Sequence, residues 1–266
     1  MFFVFIACAG FSQADLPGYP GKPRQLGSIE ENRAKAGTNT MQVFRKGGFG
    51  FSYSDFQLAR KEKFDHKGRT VEATHYRNNV AVSFVTTVYD KNLISTEEEL
   101  LPDGSVAYKW EYLYRNRQLT QLKVYEFGRL TALFEYGFAD TLCIETKMKN
   151  GAKEYVNQYV FDKDVLQSKK VFNPPDSLYF EVIYSNIGQK ITSETYFSAG
   201  RDILYTIEYK YDDQGNVTEV LNYNASGHII SKQVYSYNSE GLLQNMIEYS
   251  RDGQVEIAER YEYGRF

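Results

Sequence analysis

The chain has 266 residues, and its 31 Lys and Arg against 34 Asp and Glu give a net charge of −3. With no basic block, nothing in this balance favours nucleic acid or an anionic membrane surface as a partner. Two cysteines, Cys8 and Cys143, exclude a disulfide framework and a cysteine-based metal site. The 23 Tyr and 18 Phe are side chains that fit a half-buried β-strand surface.

Residues 1–14 form an apolar run that ends in Ser12-Gln-Ala14, a small-x-small cleavage pattern. This predicts a signal peptide that is too short to remain as a membrane-spanning helix. A buried N-terminal strand and a lipoprotein anchored at Cys8 are the alternatives. We therefore expect a mature chain outside the cytoplasm, in the periplasm, on the cell surface or secreted, with no integral membrane segment.

Residues 15–45 are rich in Gly, Pro and charge, which predicts a linker with at most one or two helical turns. The stretch Gly47–Gly50 is glycine-rich but lacks the Lys-Ser/Thr of a phosphate-binding loop. Close backbone packing at the entry to a sheet explains it better. The predicted domains are a leader at 1–14, the linker at 15–45 and a β-hairpin repeat domain at 46–266.

A repeated frame occupies the second half of the chain. The pattern Tyr-x-Tyr-(Asp/Asn)-x-x-Gly-x-(Val/Leu) covers Tyr209–Val217 and returns 26 residues later at Tyr235–Leu243. A third copy begins at Tyr261, and a looser copy covers Val182–Gly188. In the three copies that contain Tyr-x-Tyr, the two Tyr share one face of a strand, because side chains alternate along it.

Turn residues divide the rest of the chain into strands of similar length. Asp, Asn or Ser followed three residues later by Gly, as in Asp65–Gly68 and Asn224–Gly227, is typical of a type I turn with a glycine bulge. Where Gly is absent, other turn-forming residues such as Asn78-Asn79 stand at the expected place. One turn about every 12 residues predicts an all-β meander of tandem hairpins. We expect an elongated, twisted or curled antiparallel sheet, with a closed barrel or shell as the alternative.

The frame Tyr211-Asp-x-x-Gly215-Asn-Val217 resembles the core of the YD repeat, also called the RHS repeat. The looser copies are similar to MORN-like hairpin repeats, and the whole looks like the small exported repeat proteins common in Bacteroidota. The clear match covers Tyr184–Tyr263. In large RHS proteins the repeats enclose a toxic C-terminal domain, whereas this sequence carries the repeat up to Phe266. The resemblance implies a shell-like or toxin-neutralising partner and transfers no catalytic residue.

The residues that carry chemistry show no active-site pattern. His66, His75 and His228 lie in separate repeats, which does not predict a metal site. The densest acidic runs, Glu97–Glu99 and Asp212-Asp213, have a default role as strand surface and turn caps. We therefore predict no catalytic residue, no metal and no cofactor, and Cys143 as a buried core residue.

Three functions remain open. The first is a non-catalytic binding or scaffold module for a glycan or protein ligand, because rows of aromatic side chains suit sugars and extended peptides. The second is the toxin-associated partner implied by the resemblance, and the third is a carbohydrate-active enzyme that would use paired carboxylates. The candidate binding residues are the aromatic rows Tyr184, Tyr209, Tyr211, Tyr235, Tyr237, Tyr261 and Tyr263.

Overall fold

The computed structural model describes residues 28–48, 51–52, 54–174 and 176–265, which form one short helix and 18 strands. The predicted leader lies outside these residues. The helix is α1 (Ser28–Lys35). The strands are β1 (Thr38–Gly47), β2 (Gln57–Phe64), β3 (Thr70–Arg77), β4 (Val80–Asp90), β5 (Leu93–Leu100), β6 (Val106–Arg115), β7 (Gln118–Glu126), β8 (Arg129–Ala139), β9 (Leu142–Lys149), β10 (Ala152–Asp162), β11 (Val165–Asn173), β12 (Ser177–Ile187), β13 (Lys190–Ser198), β14 (Ile203–Tyr211), β15 (Val217–Asn224), β16 (Ile229–Tyr237), β17 (Leu243–Ser250) and β18 (Val255–Arg265).

The strands form one closed antiparallel barrel. Each pairs with its neighbours in sequence, and β18 returns to pair with β1, placing Tyr261 opposite Val43 and Tyr263 opposite Met41. The predicted all-β meander is therefore confirmed, and of the two arrangements considered the closed barrel is the one present. An open sheet of this many strands would leave two edges of unpaired N–H and C=O groups. Twist brings those edges together, and closure satisfies them.

The predicted type I turn with a glycine bulge is present. In the turn after β14, the Gly215 amide donates to the Asp212 carbonyl (3.0 Å) and the Asn216 amide donates to Asp212 Oδ1 (2.8 Å). Gly215 has a φ of +89°, which glycine adopts without strain. Asn78 and Asn79 have φ values of +51° and +61°, as a type I′ hairpin requires at both central residues.

The two faces of the barrel wall differ in burial. The face that carries Met41, Val43, Tyr235 and Tyr261, which are 1 to 7% exposed, is the inner wall, because side chains converge on the concave side of a closed sheet. The opposite face, the outer wall, carries most of the exposed large apolar side chains together with Lys and Glu. The predicted alternation in β14 is confirmed, with Tyr209 inward and its neighbour Lys210 outward.

Two packed clusters line the inner wall. The larger spans β14 to β18 and continues onto β1 and β2, with Phe64, Val220 and Leu243 among its buried members. The smaller centres on Cys143, Tyr159 and Leu166 of β9 to β11. Neither cluster draws a residue from β3 to β7. That part of the inner wall therefore has mostly half-buried side chains and no packed core cluster.

The helix α1 marks one end of the barrel, the helical end, where the turns after the even-numbered strands lie. Asn32 donates to the Gly241 carbonyl in the turn after β16 (3.1 Å), and the Arg33 guanidinium lies 4.1 Å from the centre of the Phe64 ring. β1 begins at Thr38, so the sheet starts inside the segment 15–45 that the sequence assigns to a linker. No helix among the described residues has the length and apolarity to cross a membrane.

Candidate functional site

The seven candidate Tyr all lie on the inner wall, on even-numbered strands. They do not form one continuous ladder, because an odd-numbered strand separates each pair of even ones and places Val220 opposite Tyr209 and Met246 opposite Tyr235. Tyr235 and Tyr261 are buried, at 7% and 5% exposure, and the other five are half-buried.

Hydrogen bonds within the wall occupy the hydroxyls of these tyrosines. Tyr209 donates to Glu194 (2.8 Å), Tyr235 to Gln233 (2.6 Å), and Tyr261 to Glu259. The second tyrosines of the three Tyr-x-Tyr copies, Tyr211, Tyr237 and Tyr263, donate instead to a backbone carbonyl of the preceding strand. These contacts give the rows a structural role, and their part in binding stays a prediction.

A second set of aromatic residues follows β6 across the section of wall that lacks a packed cluster. Four alternate residues of this strand point inward and form the β6 aromatic row: Tyr108, Trp110, Tyr112 and Tyr114. Tyr108 and Trp110 stack with ring centroids 5.7 Å apart and planes inclined by 24°. At about 3.3 Å per residue, the row runs for about 20 Å from the end opposite α1 to the helical end.

Two carboxylates lie beside the row on the neighbouring strand β5. Glu97 pairs with Trp110 and Glu99 with Tyr108 in the register, so both point inward, whereas Glu98 points outward to Lys109 at 3.5 Å. Glu97 accepts hydrogen bonds from Tyr112 and from Thr87 (3.3 Å). This alternation divides the acidic run Glu97–Glu99 between the two walls. It leaves oxygen acceptors facing the same space as the aromatic rings.

The ionisable side chains near the β6 aromatic row differ in charge from those on β9 and β11 of the inner wall. Burial, and secondarily the charge of Arg60, lowers the pKa of His75 on β3, which keeps this imidazole neutral at neutral pH. Burial and then the nearby Glu97 raise the pKa of Tyr114 to about 12, so its hydroxyl stays protonated. The basic side chains of β9 and β11, Lys147 and Lys169, lie against aromatic rings elsewhere. The wall at β5 and β6 therefore combines aromatic faces with acidic and hydroxyl groups.

Ion pairs cross the outer wall on both sides of the barrel. Lys109 contacts Glu98 and Glu111 (3.5 and 3.2 Å), while Glu219 contacts Lys210 and Lys232 (2.6 and 2.8 Å). These pairs connect neighbouring strands and lie within the strands rather than only at their ends. The outer wall is consequently a mixed charged and apolar surface.

The remaining residues singled out in the sequence have structural surroundings. Cys143 is 1% exposed, which confirms it as a core residue, and burial raises the pKa of its thiol to about 12. Asp212 caps its turn through Asn216, as predicted. Within the described ranges, no three His, Cys, Asp or Glu side chains converge as metal ligands would.

Sequence reasoning missed the β6 aromatic row because it followed the most regular copies of the repeat, which lie at Tyr184–Tyr263. A signal was nevertheless present. Tyr108-x-Trp110-x-Tyr112-x-Tyr114 is a run of four alternating aromatics, and Trp110 is the one tryptophan of the chain. A full strand of aromatics on a single face exceeds what the Tyr-x-Tyr frame requires.

No family model and no curated protein matches this chain. Among solved structures, the chain is similar to a porin-like protein from Bacteroides uniformis, with a TM-score of 0.44 and 10% identity over 85% of this chain and 96% of that one. A porin-like protein from Bacteroides vulgatus gives a TM-score of 0.36 and 8% identity over 86% and 100% of the two chains. A Tc holotoxin pore from Photorhabdus luminescens gives 0.21 and 10% over 76% and 16%. At these identities the activities and ligands of those proteins do not carry over.

Proposed function

We propose that this barrel is a non-catalytic carbohydrate-binding module, whose ligand lies along the β6 aromatic row on the inner wall. The observation that carries this proposal is the row itself, four inward aromatic side chains about 20 Å in total length, beside the carboxylates Glu97 and Glu99.

The chemistry of this surface matches that of a sugar chain. Each sugar ring presents a face of C–H groups, which the negative face of an aromatic ring attracts, and a rim of hydroxyls that need acceptors. Glu97 and Glu99 provide such acceptors from the adjacent strand. The section is open to ligand because neither packed cluster extends into β3 to β7.

A binding role without catalysis is supported by the way Glu97 is held. Its carboxylate accepts hydrogen bonds from Tyr112 and Thr87, so two neighbouring side chains already use it as an acceptor. A glycosidase would need one protonated carboxyl group as the acid beside an ionised partner. The protein is incubated with an oligosaccharide that it binds, and the solution is then assayed for new reducing ends. This measurement separates binding from glycoside hydrolysis.

The outer wall supports a barrel that works in water outside the cytoplasm. A lysine or arginine facing lipid near the middle of a bilayer costs about 2–4 kcal/mol, and the outer wall carries several. The pairs Lys109–Glu98 and Lys210–Glu219 are ordinary for a water-facing sheet. The predicted leader at residues 1–14 agrees with export.

We further propose that the whole barrel is a YD-like hairpin repeat. The inward position occupied by Tyr209, Tyr235 and Tyr261 returns on every even-numbered strand, with spacings of 23 to 26 residues. The residues at this position are Glu62, Thr87, Tyr112, Tyr136, Tyr159, Tyr184, Tyr209, Tyr235 and Tyr261. The period therefore extends well before the copies that are clear in sequence.

A titration followed by tryptophan fluorescence tests the binding role. The protein is screened on a glycan array, and the oligosaccharides retained are titrated while emission is recorded from Trp110, the one tryptophan. We expect a saturable change in emission, because a sugar ring stacked on the indole displaces water from it. No retained glycan, or binding that leaves the emission unchanged, would contradict a site on this row.

A matched pair of variants separates the row from the fold. Trp110→Ala removes an inward aromatic, and Tyr125→Ala removes an outward one from the adjacent strand β7, where its hydroxyl donates to Glu111 (3.1 Å). By calorimetry we expect Trp110→Ala to weaken the affinity at least about tenfold, or about 1.4 kcal/mol, with Tyr125→Ala unchanged. Equal losses in the two variants would assign the effect to stability.

A further inference from the structure

The repeat has a second inward position, two residues after the one occupied by Tyr209, Tyr235 and Tyr261. The side chain at this position makes the same kind of contact in several repeats at the helical end. On the even-numbered strands from β2 to β18 it is occupied by Phe64, Tyr89, Tyr114, Phe138, Phe161, Asn186, Tyr211, Tyr237 and Tyr263. Five of these side chains donate a hydrogen bond to a carbonyl near the start of the preceding strand. The pairs are Tyr89 to Thr70 (3.0 Å), Asn186 to Leu166 (2.9 Å), Tyr211 to Ile191 (2.6 Å), Tyr237 to Val217 (2.8 Å) and Tyr263 to Leu243 (2.9 Å).

Each of these bonds closes a gap between two strands. The ladder of β13 and β14, for example, starts at Ser193 and Glu208, and the strands continue unpaired from there toward the helical end. Tyr211 spans that gap by donating to the Ile191 carbonyl. The bond recurs because the same geometry recurs with the repeat.

Tyr114 departs from this pattern. By the repeat its hydroxyl would donate to the Ile94 carbonyl, 20 residues earlier, as Tyr211 does to Ile191. The hydroxyl of Tyr114 makes no hydrogen bond to any described residue. The gap here, beyond the last ladder pair Thr96–Glu111, instead holds a cavity of about 400 Å³ lined by both Tyr114 and Ile94.

The walls of this cavity have a definite chemistry. Tyr112 and Tyr114 provide ring faces, Leu93, Ile94 and Leu113 provide apolar surface, and Ser95 adds a hydroxyl. Asp90, Lys91 and Arg117 carry the charges, for a net charge of +1. Neither cation makes an ion pair with a described residue. The cavity therefore offers aromatic stacking, an unused phenol and a positive mouth.

We propose that this cavity binds the terminal residue of a carbohydrate chain, and that this residue carries a carboxylate. Tyr112 and Tyr114 belong to both the β6 aromatic row and the cavity, so a chain that follows the row ends here. The Tyr114 hydroxyl, which makes no hydrogen bond to the wall, forms one with an oxygen of the ligand. Lys91 and Arg117 attract the carboxylate. The identity of the ligand as a sugar rests on the proposed function.

Free monosaccharides test the cavity without the rest of the row. Glucuronate and glucose differ only at C6, which is a carboxylate in glucuronate and a hydroxymethyl group in glucose. Each sugar is titrated into the whole protein and its binding is measured by calorimetry. We expect glucuronate to bind at least about tenfold more tightly than glucose, with a preference that falls as salt is added. Equal affinities, or no binding of either sugar, would overturn the proposal.

The repeat supplies a matched control for the phenol. Tyr114→Phe removes a hydroxyl that makes no wall contact, and Tyr237→Phe removes one that donates to the Val217 carbonyl. We expect Tyr114→Phe to weaken glucuronate binding by about 3- to 10-fold at unchanged melting temperature. Tyr237→Phe should show the reverse, a lower melting temperature at unchanged affinity. Unchanged binding in Tyr114→Phe, or equal losses in both variants, would refute the assignment.

A charge variant at the mouth separates this proposal from the proposed function. Arg117→Gln should remove most of the preference for glucuronate while leaving the emission of Trp110 responsive to oligosaccharides. If oligosaccharides change that emission but glucuronate has no advantage over glucose, the binding role stands and the end site is wrong. If glucuronate binds but no oligosaccharide affects Trp110, the cavity stands and the row is wrong.

Discussion

Replacing Glu62 should show how much its ion pairs at the helical end stabilise the barrel. Its side chain is 8% exposed on β2, lies 2.8 Å from Arg60 and 4.0 Å from Arg33 of α1, and accepts a hydrogen bond from Thr70 (3.0 Å). Glu62→Gln keeps the size of the side chain but removes its charge. The buried Arg33 and the largely buried Arg60 then lose this counter-ion, and breaking a buried pair in this way costs about 3–5 kcal/mol.

The size of the expected change is measurable by thermal unfolding. For a domain of this size, about 2–4 °C of melting temperature corresponds to 1 kcal/mol, so Glu62→Gln should melt about 6–20 °C lower. Glu98→Gln is the control, because Glu98 pairs with Lys109 at 3.5 Å on the outer wall with both side chains more than a third exposed. Such a pair contributes about 1 kcal/mol or less. A Glu62→Gln protein that melts no lower than Glu98→Gln would refute the reasoning.

The same pair of variants gives a pH test. Burial raises the pKa of Glu62, but Arg60 and Arg33 outweigh it and hold the pKa below its ordinary value of 4.5. A carboxyl with a lowered folded pKa stabilises the protein above its unfolded pKa and loses that contribution as pH falls through the folded value. The gap in melting temperature between wild type and Glu62→Gln should therefore narrow below about pH 4.5. A gap that widens on acidification would contradict this assignment.

Three further predictions concern other parts of the chain. Gly68→Ala should destabilise more than Gly128→Ala, because both glycines have positive φ (+74° and +76°) but an added Cβ at Gly68 would lie 2.1 Å from the Glu30 carbonyl of α1, and equal melting temperatures would contradict that contact. Cys143, whose burial raises its thiol pKa to about 12, should react with a thiol reagent only in denaturant, and rapid labelling of the folded protein would contradict its burial. After expression and cell fractionation the barrel should stay in the aqueous fraction without detergent, and extraction only by detergent would contradict a water-facing outer wall.

The sequence allowed prediction of the turns and the facing of the strands because both depend on neighbours in the chain. Asp212 and Gly215 form their turn through contacts within four residues, and Tyr209 and Lys210 point to opposite sides by alternation alone. The closure of the barrel could not be predicted from neighbouring residues. It requires β18 to meet β1, which brings Tyr261 to Val43 across the full length of the chain.

The candidate site was harder to predict for a related physical reason. The repeat makes each Tyr-x-Tyr look equivalent, yet Tyr211 fills its gap and Tyr114 does not. That difference depends on how two strand ends separate in space, which spacing in the sequence does not encode. Trp110, by contrast, was visible as the one tryptophan within an alternating aromatic run.

Protection of Trp110 by ligand tests the central claim most directly. The emission of Trp110 is quenched with acrylamide, first in the free protein and then in protein saturated with an oligosaccharide retained on the array. A chain stacked along the β6 aromatic row covers the indole, so the quenching constant should fall by about half or more on saturation. A quenching constant that does not change, with binding confirmed by calorimetry, would place the ligand elsewhere on the barrel.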